Sequence, residues 1–210
     1  MPDLFEIIES TRAMRRLKPD PVPDELIAKI LRAGVCAANG GNTQRWRFLV
    51  IKDREIKKKV QVHYKRAFDE VVGPRYLKSA PPPGVTRERY DRQHAAVEYL
   101  TEHFHEAPVW IVACLDEGTN TPTRGSGASI YPAVQNMLLA ARALGLGATL
   151  TTRHLLYEKE AEAALGLPPR VHSYAIIPIG YPMGHFGPVG RGPLNEIVYQ
   201  DRWGQPYPDV

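Results

Sequence analysis

From Val109 to Leu115 the chain reads VWIVACL, an apolar run with no polar break. Such a run reads as a strand covered on both faces, and it constrains the fold more than any other stretch. Two further segments carry strand signals. Trp46, Phe48 and Val50 alternate with Arg47, Leu49 and Ile51, the period of a strand buried on at least one face. Tyr174 to Gly180 is a last core strand, ended abruptly by Tyr181 and Pro182. Just before the first of these, Gly40 and Gly41 stand side by side between Asn39 and Asn42, a tight polar loop. Its amides and backbone N–H groups beside a strand end suit a flat polar ligand and its phosphate. An ordinary helix-to-strand turn reads the same way, and both readings stay open here.

Helices fill the intervals. Asp3 and Glu6 form a capping box, with Leu4, Ile7, Ile8 and Thr11 on one face. Pro19, Pro21 and Pro23 stop regular structure, and Pro23 opens the first turn of a second helix whose core face is Ile27, Ile30, Leu31, Gly34 and Val35. Asp53 caps a third helix with Ile56, Val60, Tyr64 and Ala67 inward. From Gly73 to Thr86 the chain breaks into GPRYLKSAPPPGVT, and residues 73–91 together read as a lid over a cleft, mostly basic and suited to anionic acceptors, or as a plain surface loop. A charged helix covers about Arg89 to His105. Ser129 caps the most apolar helix, with Ile130, Val134, Met137, Leu138, Ala141 and Leu144 leaving almost no polar face before Gly145. Such a helix needs cover on both sides, in a central core or at a subunit interface. Glu158 to Leu165 is a short helix closed by Gly166, and the tail ends in an extended piece from Leu194 to Tyr199. Residues 1–210 form one domain without internal repeats.

Composition excludes several classes. No apolar run is long enough to cross a bilayer, and PDLFEIIES after Met1 lacks the basic start of a signal peptide. Cys36 and Cys114 sit among apolar neighbours and read as buried free thiols in a reducing compartment, the cytoplasm by default. The net charge of +4 does not point to nucleic acid, because the basic residues are dispersed and no recognition motif accompanies them. A basic pocket for phosphorylated small molecules explains that charge equally well.

Motifs of catalysis are mostly missing. His103 and His105 point in different directions on a helix, and no HExxH or CxxC spacing is present, so no metal is expected. Gly125-Ser126-Gly127 lacks the third glycine of a dinucleotide fingerprint and fails as a nucleophile elbow. With no acid–base or nucleophile constellation, there is no catalytic side chain to name, and a cofactor would carry the chemistry. Arg12, Arg15 and Arg16 follow the first helix closely, either as a solvated helix end or as an anion clamp.

Taken in order, STRAMRRLKPDPVPDELI, GGNTQRWRFLVIKD, YPAVQNMLLAARALGLGA, IPIGYP and GRGPLNEIV resemble the nitroreductase family of FMN-dependent oxidoreductases over nearly the whole chain. The resemblance implies an α+β, three-layer fold with a mixed central sheet between helices. It also implies a homodimer with FMN at the interface, and a C-terminal extension (192–210) that reaches across to the partner subunit. The family's RRSxR matches Thr11-Arg12-Ala13-Met14-Arg15, so Arg12, Ala13 and Arg15 fall at FMN-contacting positions, while Thr11 and Ala13 remove a guanidinium and a hydroxyl. Its NxQPW matches Asn42-Thr43-Gln44-Arg45-Trp46, which assigns Asn42 and Gln44 to the flavin, with Asn39 beside them and Arg45 in place of proline. A backbone N–H near Thr152 and Arg153 would face flavin N5, and Arg191 matches the late phosphate arginine, with Val189 where a lysine is frequent. The implied chemistry is ping-pong: NADH or NADPH reduces the flavin, and a nitroaromatic, quinone or other conjugated small-molecule acceptor reoxidises it. The alternatives are fragmentation of reduced flavin, dehalogenation, or flavin binding without turnover.

Overall fold

A computed structural model describes residues 3–82 and 84–208. Pro83 of the expected lid, Asp209 and Val210 of the extension, and Met1 with Pro2 lie outside the described residues. Among the described residues four strands form one sheet: β1 (Trp46–Ile51), β2 (Val109–Asp116), β3 (Gly147–Ala148) and β4 (Val171–Gly180), in the order β1-β2-β4-β3. All three strand pairs run antiparallel. The parallel component of the expected mixed sheet is confined to a bridge between Ala13 and Ala148.

The apolar run of β2 explains the layering. Val109, Ile111, Ala113 and Leu115 join one core cluster, whereas Trp110, Val112 and Cys114 join the other. Because side chains alternate along a strand, both faces need cover. On the first face lie α2 (Asp24–Val35) and α6 (Arg124–Ala143), contributing Ile27, Ile30, Ile130, Val134 and Met137. On the second lie α3 (Arg54–Ala67), α5 (Arg87–Glu102) and α7 (Glu158–Leu165), contributing Val60, Tyr64, Leu100, Ala161 and Leu165. This is a three-layer α+β fold. A bulge pairs Ala113 with Ala175 but Cys114 with Ser173, which turns Tyr174 onto the α6 face beside Ala175. Among the described residues no helix is long and apolar enough to cross a membrane.

The helix starts follow capping chemistry. Asp3 accepts the Glu6 N–H at the head of α1 (Leu4–Ser10), and Asp53 accepts from Glu55 and Ile56 at the head of α3. The expected cap at Ser129 is displaced: Thr123 and Ser126 close a reciprocal capping box, so α6 begins at Arg124. Ser129 instead accepts the Gly40 N–H at 3.1 Å, and its carbonyl accepts the Trp46 indole N–H at 2.7 Å. Nor does the chain break at Gly73. A π turn from Phe68 to Val72 leads into α4 (Gly73–Lys78), because Pro74 sits in the first turn, where its missing N–H costs nothing. Among the described residues of the expected lid, 79–82 and 84–86 lie outside helices. Val35 and Ile56, expected inward, are 46% and 36% exposed, and Cys36, which caps the end of α2, is exposed rather than buried.

Candidate functional site

Residues 11–18 run extended beside β3. The Met14 N–H donates to the Ala148 carbonyl at 3.0 Å, and the Lys18 N–H to the Tyr181 carbonyl at 2.8 Å. Met14 and Leu17 anchor this segment by burying their side chains against Gly147. A Cβ at Gly147 would lie 2.8 Å from Leu17 Cδ2 and 2.9 Å from Met14 Cβ, so only glycine admits so close an approach. The return segment is fixed to the same elements: the Met183 N–H donates to the Arg16 carbonyl at 3.0 Å and the Val189 N–H to the Glu9 carbonyl at 2.8 Å. Arg142 of α6 secures both, donating to Ser10 Oγ at 3.0 Å with its guanidinium 4.3 Å from the Phe186 ring centre.

That packing brings Arg12, Ala13, Arg15 and Arg191 to one polar hollow of about 560 Å³. Arg89 and Arg92 of α5 line it as well, and no carboxylate among the described residues does. Arg92 pairs with Glu88, whereas Arg12, Arg15, Arg89 and Arg191 make no ion pair among the described residues. Like charges gathered without a counterion repel one another, and an anion with several oxygens relieves that repulsion by accepting guanidinium N–H groups in pairs.

Arg15 also lines a second hollow of about 480 Å³, whose walls include Tyr64, Tyr76, Thr151, Thr152 and Arg153. The Arg153 guanidinium lies 4.4 Å from the Tyr64 ring centre and 4.9 Å from that of Phe68, and it donates to Thr101 Oγ1 at 2.5 Å. Burial lowers the pKa of both Arg15 and Arg153 from the usual arginine value, and the Arg15 charge presses Arg153 further down. The Tyr64 hydroxyl, pushed up by burial, shares a hydrogen bond with Thr151 Oγ1 at 3.0 Å. This second hollow is therefore aromatic and cationic at once, and Arg15 joins it to the arginine hollow.

Asn39, Asn42 and Gln44 lie elsewhere. They precede β1 at the opposite edge of the sheet from β3, and Trp46 pairs with Leu115 while Ala148 pairs with Ile179. Seven positions of β4, from His172 to Ile179, and three strand spacings separate the two registers. At about 3.4 Å per residue and about 4.8 Å per strand, the distance exceeds roughly 20 Å. The expected FMN-contacting residues thus fall into two sets within one chain. The amide loop is exposed and satisfied mostly by itself: Gln44 N–H donates to Asn39 Oδ1 at 2.9 Å and Gln44 Nε2 to Asn42 Oδ1 at 3.1 Å. Gly41, Asn42 and Gln44 have φ of +57°, +51° and +49°, so two non-glycine residues hold a conformation costing about 1 kcal/mol each. Arg45, in place of proline, forms an ion pair with buried Glu117 at 2.8 Å, and Tyr174 donates to the same carboxylate from the β4 bulge.

Arg89, Arg92 and Tyr76 escaped the sequence reading. The first two read in the sequence as lid or helix-surface charge, and their one signal is an arginine pair three apart at a helix start. Arg153 entered for its backbone, whereas its side chain lines the second hollow. The histidines singled out lie just past the end of α5 and have local partners: His103 Nδ1 lies 2.9 Å from Glu106 Oε2, and His105 Nε2 lies 3.4 Å from Arg54. Glu158, Glu162 and His172 bring possible metal-ligating atoms within 4.8 Å of one another, but Glu162 already accepts the Ser173 N–H at 2.6 Å and faces His172 Nδ1 at 3.4 Å.

Comparison with known proteins gives this fold its family. The Nitroreductase family model matches residues 8–181, and the chain belongs to this family of oxidoreductases. A provisionally named NADH dehydrogenase/NAD(P)H nitroreductase of Methanothermobacter thermautotrophicus is 30% identical over 183 residues, 86% of this chain and 78% of that protein. Human iodotyrosine deiodinase 1 is 24% identical over 204 residues, 93% of this chain and 68% of the deiodinase. A provisionally named nitroreductase of Desulfovibrio desulfuricans, solved in complex with FMN, superposes with a TM-score of 0.65 at 27% identity, covering 97% of this chain and 99% of that one.

Proposed function

We propose that this protein is an FMN-dependent oxidoreductase that takes electrons from NADH or NADPH and passes them to nitroaromatic, quinone or related conjugated acceptors. The observation that carries the reading is the shared Arg15, which joins a carboxylate-free arginine hollow to an aromatic, cationic one. This donor set fits a phosphorylated flavin: Arg12, Arg15 and Arg191 would hold the phosphate, and the segment at Thr152 and Arg153 would face the ring. FMN, when bound there, supplies the redox chemistry by accepting hydride from the nicotinamide and returning electrons to the acceptor. Arg15 and Arg153 supply fixed positive charge where a reduced ring carries negative charge, in a partly desolvated setting that strengthens the attraction.

The amide loop completes the site from a second copy of the chain. Its distance from the arginines supports this, as do apolar side chains left open to solvent. Phe5 and Leu4 of α1 are 71% and 60% exposed, and Ile197 and Trp203 of the tail are 69% and 89% exposed. The tail folds back on itself, with Gln200 N–H donating to the Gln205 carbonyl at 2.9 Å, and presents Trp203 outward. A homodimer with two equivalent sites follows.

Anaerobic titration of the FMN-reconstituted protein tests the reading. NADH or NADPH should bleach the visible flavin band, and a nitroaromatic or quinone should restore it. A chain that takes up no FMN overturns the proposal, and bound flavin that is never bleached reduces it to a binding protein. A second reading, reductive dehalogenation, is favoured by the likeness to iodotyrosine deiodinase and by paired guanidiniums suited to an ionised phenol. Release of iodide from iodotyrosine by the reduced protein would select it.

A further inference from the structure

Arg89 has no part in the residue set that the nitroreductase resemblance assigns, yet it lies at the arginine hollow with no carboxylate partner among the described residues. It stands in the first turn of α5, held there by the Thr86 cap, whose hydroxyl accepts the Arg89 N–H at 3.2 Å. Its guanidinium rests against Gly190, the residue before Arg191. A Cβ on Gly190 would fall 2.9 Å from Arg89 Nη2 and 3.3 Å from Nη1. A bare backbone is what lets the two arginines share one hollow. Thr11 lines the same hollow, at a position where a longer cationic side chain would reach into it.

From this geometry we infer that Arg89 is a phosphate ligand, carried by α5 into the place that Thr11 leaves without a guanidinium. The ligand class is a phosphomonoester dianion, whose three terminal oxygens carry more acceptor lone pairs than the forks of Arg12, Arg15 and Arg191 can fill. Arg92 lines the hollow too, but its fork is already engaged by Glu88. The inference rests on the flavin reading but concerns one end of the ligand, which makes the two separable.

The test compares FMN with riboflavin, which lacks the phosphate, by fluorescence-quenching titration. Arg89→Met keeps the apolar stem and removes the fork. It should weaken FMN binding by about ten- to a hundredfold and leave riboflavin affinity unchanged. Adding Thr11→Arg to that variant should recover most of the loss, because the new guanidinium enters the same hollow. Gly190→Ala should give a smaller loss of the same kind by displacing the fork without deleting it. Unchanged FMN affinity in Arg89→Met overturns the inference, and so does an equal loss for both ligands. If the parent protein binds neither flavin, the flavin reading fails by itself. The Arg89 assignment is then read from inorganic phosphate by calorimetry: binding that is lost in Arg89→Met upholds it, and binding that is absent or unaffected overturns it.

Discussion

The arginine hollow and the amide loop are built in opposite ways. The hollow gathers residues from positions 12–15, 89–92 and 191, and only the packed fold makes them neighbours. The loop draws on six consecutive residues, Asn39 to Gln44, and bonds chiefly to itself. One collects charge that, Arg92–Glu88 apart, no carboxylate among the described residues pairs with, and the other collects amides on strained backbone. The two stand more than roughly 20 Å apart. On the function proposed above, a single protomer would carry one half of each of two sites, and the second copy would be a part of the chemistry.

The largest expected effect breaks the hollow. Arg12→Ala or Arg191→Ala each removes a charge-assisted contact of about 2 kcal/mol, which is about a thirtyfold loss of FMN affinity. The double variant should approach the product of the two, less whatever coupling neighbours share. Fluorescence titration measures it. Unchanged affinity in both single variants would leave the hollow without its ligand and dissolve the comparison.

Buried titratable groups anchor both regions, and they respond differently to acid. His154, directly after Arg153, is fully buried, and burial pushes its pKa down to about 4. The unfolded chain binds this proton below about 6.5 and the folded chain only near 4, so stability falls as pH drops between them. The loss reaches about 3 kcal/mol at the acid end. His154→Phe should flatten the melting temperature across that window. On the loop side, burial works against the charge of Glu117, but Tyr174, Ser126 and Arg45 more than offset it and hold its pKa below the usual carboxylate value. That contribution is present above the ordinary carboxylate pKa and is lost as pH falls through the lowered one. Arg45→Ala should cost about 2 kcal/mol, since it strands a buried carboxylate whose lost partner was itself partly exposed. Chemical denaturation at neutral pH measures this. Little change would mean that Tyr174 alone keeps Glu117 in place.

Much of this was legible in the sequence where a local rule decides. The alternation of β1 and the polarity-free run of β2 gave the strands, and Asp3, Asp53 and Gly166 marked helix ends through their own backbone chemistry. Contests between two adequate signals were harder. Ser129 was a plausible cap, but the Thr123–Ser126 pair satisfies two backbone donors and extends α6 forward. Pro74 looked like a breaker until its place in a first turn removed the penalty. The site divides along the same line. Arg12, Arg15 and Arg191 came from a motif, while Arg89 became visible only when α5 was laid against Gly190, a contact spanning a hundred residues of chain.

The smallest effect bears on the other half of the comparison. Gln44 holds φ of +49°, which costs a non-glycine residue about 1 kcal/mol, and its side chain recovers part of that through an exposed hydrogen bond to Asn42. Gln44→Gly removes the strain and the amide together, so the folded chain should gain up to about 0.5 kcal/mol, a rise of one or two degrees in melting temperature without flavin. If the loop were only a turn between α2 and β1, the substitution would be a plain improvement. If it faces a flavin held by the second copy's arginines, the same variant should bind FMN several-fold more weakly, and riboflavin equally so, because the amide touches the ring end and not the phosphate. Arg89→Met discriminates between those two ligands, and Gln44→Gly should not. A stabilised variant with unaltered affinity for both would return the loop to the status of a turn, and the site would then lie within one protomer.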